Sequence, residues 1–424
     1  MNQGNGEETM MMRSPKDHRL RFRSLMPLVL AVFFAASFIA AACGGDDSED
    51  EARTAGETGA QESEEAASPE FQEAQTRVNA ILEELKGETG ATSEIQSEWP
   101  EPAESACSDP EPKEAGTLKV GYAYASRANP WQVQNAIGGT WFLENHPDVD
   151  EIVSTDGQEN PSKQISDIES LIAQEVDLLI VNPVTTAVSP AVLQACQRGI
   201  ATVVYDRFVT EGTPFTASMY ANEVQDGYNG GQAIVEALDG EGNVVIIPGI
   251  AGAGVTEDRV EGALMAMEEA PGITILGQAY SDWDPAKGRR IMEQFLTRHD
   301  RIDAVWSDSG VQAVGIIQAL QAANRLDEVK MIVGGQLNGF LKLWDELGFT
   351  GFASTISTDV GILASQLGID IVTDRYEPEA NVPGPLVVID QESLDDFVRT
   401  DLPDSYWATE VLPNPVLDEI FEAQ

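Results

Sequence analysis

The sequence predicts an α/β protein built on parallel sheets, and three observations carry that expectation. Short apolar runs recur from Leu118 onward, helix-patterned stretches alternate with them, and the runs are nearly continuous rather than alternating apolar with polar. A strand covered by helices on both faces has no solvent side to mark with polar residues, so continuity points to buried parallel strands.

The first strand is expected at 118–123, the second at 151–155, the third at 178–181 and the fourth at 201–205. The third and fourth, Leu178-Leu179-Ile180-Val181 and Ala201-Thr202-Val203-Val204-Tyr205, are rich in the branched residues that fit a pleated, buried surface. Helices at 162–174 and 190–197 fill the gaps, with apolar positions three and four apart. The alternation continues with a helix at 222–238, a strand at 244–248, a helix at 258–269, a strand at 273–279 and a helix at 286–298. A strand at 304–306, a helix at 312–322, strands at 330–334 and 352–356 and a helix at 361–375 complete it. So many units exceed one modest open sheet. Two similar α/β lobes, or one closed barrel, would accommodate them.

The N-terminal part has a different character. Arg13, Lys16, Arg19, Arg21 and Arg23 precede an uncharged apolar run at 25–42, which ends in Ala40-Ala41-Ala42-Cys43-Gly44-Gly45. This resembles a bacterial lipoprotein signal: residues 1–42 would be removed and Cys43 would carry the lipid, placing the rest outside the cytoplasm at the membrane surface. Ala40 stands where such signals usually have Leu. The rival reading is a permanent membrane-spanning helix, for which about 18 apolar residues just suffice. Residues 43–115 read as an acidic, low-complexity tether with too little apolar area to offset its ordering entropy. Within it Phe71, Val78, Ile81, Leu82 and Leu85 recur at helical spacing and predict one short amphipathic helix.

With 25 Lys and Arg against 71 Asp and Glu, the chain carries a formal charge of −46. Such a surface repels phosphate backbones and excludes nucleic acid as a partner class. There are three cysteines. With Cys43 set aside, Cys107 and Cys196 are left as a candidate disulfide or as two free thiols.

The predicted strand ends carry a series of motifs. They are Asn129-Pro130-Trp131, Val181-Asn182-Pro183, Tyr205-Asp206-Arg207, Gly249-Ile250-Ala251-Gly252 ahead of Glu257-Asp258-Arg259-Val260-Glu261-Gly262, Asp282-Trp283-Asp284, Trp306-Ser307-Asp308-Ser309-Gly310 and Val333-Gly334-Gly335-Gln336. In this order they resemble the sugar-binding members of the type I periplasmic binding proteins, over about residues 117–395. The resemblance implies two Rossmann-like lobes with parallel sheets joined by a three-strand hinge. The first lobe would comprise 116–220 plus 358–386 and the second 221–357 plus 387–424. It further implies a ligand held between the lobes, where open parallel sheets bind beyond the carboxyl ends of their strands.

A sugar presents apolar C–H faces and rings of hydroxyls, so its site needs flat aromatics and planar charged groups. Trp131 and Trp283 match the family's stacking positions from opposite lobes; otherwise they are core or loop anchors. Asp206 and Arg207 match an acid–base couple that grips hydroxyls; otherwise they are a strand end meeting water. Arg259 matches a second ligand arginine, or is a surface helix charge. Asn129 would bond a hydroxyl, or cap a turn before Pro130, and Arg127 would reach the rim. The second lobe departs from the ribose-type pattern: Asp308 and Ser309 replace an Asn-Asp pair, Gln336 replaces an Asp, and Thr358 replaces a Gln. Those three positions are expected to read a ligand other than ribose.

Enzyme chemistry finds little support. Ser307-Asp308-Ser309-Gly310 resembles the surroundings of a serine-protease nucleophile, but a triad needs a histidine base, and His18, His146 and His299 are a leader residue and two helix-end surface residues by their setting. The same scarcity leaves no zinc cluster, and Gly249, Gly252 and Gly254 lack the Gly-Lys-Ser/Thr of a phosphate loop. The resemblance therefore implies a monomeric, extracytoplasmic substrate-binding lipoprotein of an ABC-type uptake system. It would capture a monosaccharide or polyol by hinge closure and hand it to a membrane permease, with no cofactor or metal. The alternatives are a receptor of the same fold feeding a chemoreceptor or kinase, and a barrel glycosidase.

Overall fold

The computed structural model describes residues 67–87, 97–102, 111–376 and 381–422. Its strands are β1 (Leu118–Tyr124), β2 (Val149–Asp156), β3 (Leu178–Val181), β4 (Ala201–Tyr205), β5 (Ala217–Tyr220), β6 (Glu241–Ile246), β7 (Gly272–Gln278), β8 (Ala304–Trp306), β9 (Met331–Gly334), β10 (Gly351–Ile356), β11 (Asn381–Pro383) and β12 (Leu386–Ile389). The helices are α1 (Pro69–Gly87), α2 (Pro130–Asn145), α3 (Pro161–Ala173), α4 (Ser189–Gln197), α5 (Glu223–Ala237), α6 (Gly254–Glu268), α7 (Pro285–Arg298), α8 (Gly310–Ala322), α9 (Asn338–Leu347), α10 (Val360–Val372), α11 (Leu394–Phe397) and α12 (Asn414–Glu422).

Among the described residues the strands form two six-stranded sheets, β2-β1-β3-β4-β5-β11 and β7-β6-β8-β9-β10-β12. The first five strands of each follow the same spatial order, so the two sheets are built alike. Every pair is parallel except β10 with β12, where Ala353 faces Ile389. Both sheets are open, which removes the closed barrel as an architecture. The nine expected strands are all present. β5 and β11 were not expected because Ala217-Ser218-Met219-Tyr220 and Asn381-Val382-Pro383 carry no apolar run, and β12, an apolar run of four, follows too closely on β11 to belong to a helix-spaced series.

Each strand feeds two cores, as a period of two demands. In the first sheet Val120, Leu178, Ile180 and Val203 face α2 and α10, whereas Ala123, Leu179, Val181 and Val204 face α3 and α4. In the second, Val245, Val305 and Ile332 pack with residues of α7, α8 and α9, and Val244, Ile246 and Ala304 pack with α5 and α6. The chain passes between sheets after β5, after β10 and between β11 and β12.

Three expectations are corrected. The stretch at 43–115 is not wholly a tether: α1 buries Phe71, Ala74, Val78 and Leu82 in the first core, and Trp99 donates its indole N–H to the Ala221 carbonyl at 3.1 Å. The apolar stripe on α1 is wide enough to bury, and that outweighs the acidic composition around it. The C-terminal residues do not all belong to the second unit. Val411, Leu412, Val416, Leu417 and Ile420 pack in the first core, because the amphipathic α12 finds its apolar complement beside α1 and α2. His146 is not a surface residue: it is 4% exposed, with Nε2 3.1 Å from Gln366, and burial lowers its pKa. The signal segment, Cys43 and Cys107 lie outside the described residues. Cys196 is buried and disulfide-bonded.

Candidate functional site

A cavity of about 240 Å³ opens between the carboxyl ends of the two sheets. Asn129, Trp131, Asp206, Arg207, Arg259, Trp283, Asp308 and Ser309 all line it. The structure thus brings together eight of the residues expected from sequence, from five separate stretches of chain.

Local rules set each of them. Asn129 caps α2, its Oδ1 accepting from the Gln132 N–H at 2.9 Å, and Pro130 takes the first helical position, where its missing N–H costs nothing. Trp131 therefore starts the helix at the cleft, its indole N–H directed to the Ile356 carbonyl at 3.3 Å. The capping role foreseen as Asn129's alternative is realised; its Nδ2 has no partner among the described residues. Asp206 follows β4 in the left-handed region at φ 64°, where Asp is better tolerated than most residues. Asn182 Nδ2 donates to Asp206 Oδ2 at 2.8 Å, and Oδ1 has no hydrogen-bond donor among the described residues. Arg207 is aimed by Glu159, whose oxygens accept from Nη1 and Nη2 at 3.1 and 3.3 Å.

In the second unit, Asp282 and Trp283 are consecutive left-handed residues at φ 58° and 51°. Such strain persists only where the surroundings hold it. Here the indole lies on Gly249, where a Cβ would stand 2.1 Å from Nε1, so this close-packing glycine is required. The indole N–H donates to Asp308 Oδ2 at 3.3 Å, and Gln312 Nε2 to Asp308 Oδ1 at 2.5 Å. Arg259 reaches the cleft because α5 and α6 touch backbone to backbone: a Cβ on Gly227 would sit 1.8 Å from the Arg259 carbonyl oxygen. Its Nε lies 2.6 Å from Glu223 and 3.0 Å from Asp226, its Nη1 donates to the Asp308 carbonyl at 3.3 Å, and Nη2 has no hydrogen-bond acceptor among the described residues. Ser309 caps α8.

The site's charges are buried and perturbed. Burial raises Asp206, against the pull of Arg207 and the Asn182 hydrogen bond. Burial also raises Asp308, against Arg259 and Gln312. Burial works to raise Glu159, but the Arg207 guanidinium, Gln132 and Ser126 outweigh it and hold the carboxyl below its ordinary value. Glu223, sharing Arg259 with Asp226, is pushed up by burial. The result is a hollow with fixed acceptors and donors beside flat indole surfaces, suited to hold a small polyhydroxylated molecule.

Arg127 and Thr358, expected at the rim and in the readout, do not line the cavity, the guanidinium lying over the Tyr124 ring and the Thr358 hydroxyl accepting from Gln134 Nε2 at 2.9 Å; nor does Gln336. It is wholly buried, and its Nε2 donates to the carbonyls of Thr355 and Val387 at 3.0 and 2.6 Å. It staples β10 to β12 and does not line the cavity; an amide satisfies two strand carbonyls that a carboxylate would repel. Ser307 spends its hydroxyl on the Ser309 carbonyl at 2.9 Å, so the protease-like motif is a turn. Sequence reading missed Glu159, Thr355 and Trp407, which aim Arg207 or line the cavity. Glu159 sits in a plain loop, and Trp407 lies far along the chain beyond the last expected strand, so neither carried a signal.

The family model described as periplasmic binding protein domain matches residues 120–375. The ribose import binding protein of Escherichia coli (strain K12) is 30% identical over 184 residues, 43% of this chain and 61% of that protein, so the chain spans about three fifths of the relative's length. An ABC transporter solute binding protein from Mycobacterium smegmatis, solved with bound glycerol, is similar with a TM-score of 0.58 and 25% identity, over 70% of this chain and all of that one. The fructose binding periplasmic domain of a hybrid two component system is similar with a TM-score of 0.55 and 25% identity, over 66% of this chain and 93% of that one.

Proposed function

The chain belongs to the periplasmic binding protein domain family, and on that premise we propose that it is an extracytoplasmic receptor that captures a monosaccharide or polyol between two lobes and delivers it to an ABC-type permease. One observation carries the reading: Trp131, Asp206 and Arg207 from one sheet and Arg259, Trp283 and Asp308 from the other line a single 240 Å³ cavity. Indoles suit C–H faces, and the open positions on Asp206 and Arg259 suit a hydroxyl pair, one donating and one accepting. The relatives' ligands, ribose and glycerol, support a small polyol. Gln336 and the Asp308-Ser309 pair leave ribose itself unassigned.

A ligand touching both lobes favours the closed arrangement by the difference in its contacts between open and closed forms. The lobes in this reading are 116–220 with 358–386 and 221–357 with 387 to about 400, and the C-terminal residues lie on the first. Lipid on Cys43 would hold the receptor at the membrane. Cys43→Ser is expected to move the protein from the membrane to the soluble fraction; retention at the membrane would refute the anchor.

The central test is a thermal-shift panel of monosaccharides, polyols and nucleosides on the full chain. Saturation at a hundred times Kd contributes about 2.7 kcal/mol, so a true ligand should raise the Tm by several degrees. A flat response across the panel would refute sugar capture. The similarity to a fructose binding domain of a two component system favours sensing as a second reading. Loss of labelled-sugar uptake on deletion of this chain distinguishes transport from it.

A further inference from the structure

After α11 the chain makes a fourth passage between the two units, and this passage carries an indole into the cleft. Asn338, wholly buried on α9, donates Nδ2 to the carbonyls of Arg399 and Leu402 at 2.7 and 3.1 Å, which fixes the passage to the second unit. Leu337 and Trp407 form an antiparallel bridge. Gln134, on α2 of the first unit, then grips the Trp407 backbone on both sides: its Nε2 donates to the Trp407 carbonyl at 2.8 Å, and its Oε1 accepts from the Trp407 N–H at 3.0 Å. Beyond it the Glu410 N–H donates to the buried Asp359 at 3.0 Å. Trp407 is thereby held at the junction of both units, 5% exposed, with its ring on the cavity wall. Its indole N–H is buried and has no acceptor among the described residues.

The cleft residues at this end include Thr355 and Ile356, the last two residues of β10 before the crossing, and Ser309, since a Cβ on Gly335 would stand 3.4 Å from the Ser309 Cα and 3.5 Å from the Trp407 ring. Of the nearby amides, Gln134 is spent on Thr358 and the Trp407 backbone, and Gln336 gives its Nε2 to backbone carbonyls while its Oε1 is buried away from the cavity with no partner among the described residues. The charged groups lie at the ends of β4 and β8 and on α6, and both Asp308 oxygens already accept, from Trp283 and Gln312. Beside the indole face the hinge end therefore offers an isoleucine and the neutral hydroxyls of Thr355 and Ser309.

Resting on the capture of a small sugar proposed above, we infer that Trp407 is a third ligand-contacting indole and sets specificity. It favours a sugar whose hinge-facing edge is C–H or methyl over one carrying a hydroxymethyl group there. A hydroxyl buried against this wall loses its water partners and finds only neutral hydroxyls in return. Pockets of this kind discriminate by about ten- to a hundred-fold for one such group.

The test is titration calorimetry on the full chain with matched pairs: D-fucose against D-galactose, L-rhamnose against L-mannose, and D-xylose against D-glucose. In the pair that binds, the member lacking the hydroxymethyl oxygen is expected to bind about ten-fold tighter or more. Trp407→Ala should bring that ratio to within about two-fold, through weaker binding of the preferred member. Trp407→Gln, which offers an amide to the hydroxyl, guards against an alanine variant that fails to fold and should narrow or invert the ratio. Equal or tighter binding of the hydroxymethyl member by the unaltered chain overturns the inference and leaves sugar capture standing. So does an unchanged ratio in a folded variant. Binding of no pair member, in a chain that gives no thermal shift with any sugar, overturns sugar capture and this inference with it.

Discussion

Asp206 shows how a cavity carboxylate can oppose the stability of its own fold. Burial raises its pKa, so the folded state disfavours the charged form that the proposed ligand would meet. The sign follows from linkage: stability from a group whose folded pKa is raised is fully present below the ordinary aspartate value near 3.9 and is lost as pH rises through the folded value. Asp206→Asn keeps the shape, tolerates the φ of 64° and still accepts from Asn182. We expect it to be at least as stable as the parent at pH 7, with less loss of stability between pH 4 and 7 in urea titrations. Its sugar affinity should fall by about ten- to a hundred-fold, the worth of a hydrogen bond to a charged group. A variant that binds as tightly as the parent would remove Asp206 from the ligand's contacts.

Among the elements, α1 and α2 are the informative ones. The α1 periodicity was legible in sequence, but its docking was not, because an amphipathic stripe does not name the surface it meets. Phe71 is 2% exposed, its ring centroid 5.2 Å from that of Phe142 and 5.6 Å from that of His146. Phe71→Ala is expected to cost about 3–5 kcal/mol, read as a lower denaturation midpoint at unchanged slope; an unaltered midpoint would mean that α1 is undocked in solution. The helix α2 gave no amphipathic signal because it is enclosed. Gln134, Asn135, Ala136, Gly138, Gly139, Phe142 and Leu143 are all buried, and a Cβ on Gly139 would stand 2.4 Å from the Tyr122 hydroxyl. Polar residues and glycines at buried positions look like a loop when only the pattern is read. The stretch leading from β9 into α9, Gly334-Gly335-Gln336-Leu337-Asn338-Gly339, misleads in the same way.

At the scale of the molecule, connections between the units decide how the cleft can move. Besides the passages after β5, after β10 and between β11 and β12, the C-terminal passage through Trp407 crosses from one core to the other. The N-terminal segment also touches a crossing, since Ser97 N–H donates to Asn222 Oδ1 at 2.9 Å and Ser97 Oγ accepts from the Val224 N–H at 3.1 Å. The disulfide at Cys196 adds a covalent restraint, and its expected partner is Cys107. Closing a loop of about 90 residues would contribute roughly 2–4 kcal/mol. Peptide mapping without reductant should recover the Cys107–Cys196 pair, and Cys107→Ser should lose that stability; alkylation of Cys107 in the native, unreduced chain would exclude the pairing.

The sequence alone determined the α/β class, nine of the strands and the placing of the candidate site residues at strand ends, because burial on both faces and the turn chemistry of Asn129-Pro130 and Asp206-Arg207 are local signals. Tertiary structure alone decided which of those residues share the cavity. It turned Gln336 toward the carbonyls of Thr355 and Val387 and brought Trp407 into the wall. The reason is physical: a side chain's partners in a cleft come from stretches far apart in the chain, and no periodicity or spacing encodes a meeting that only the packing of two sheets and the path between them brings about.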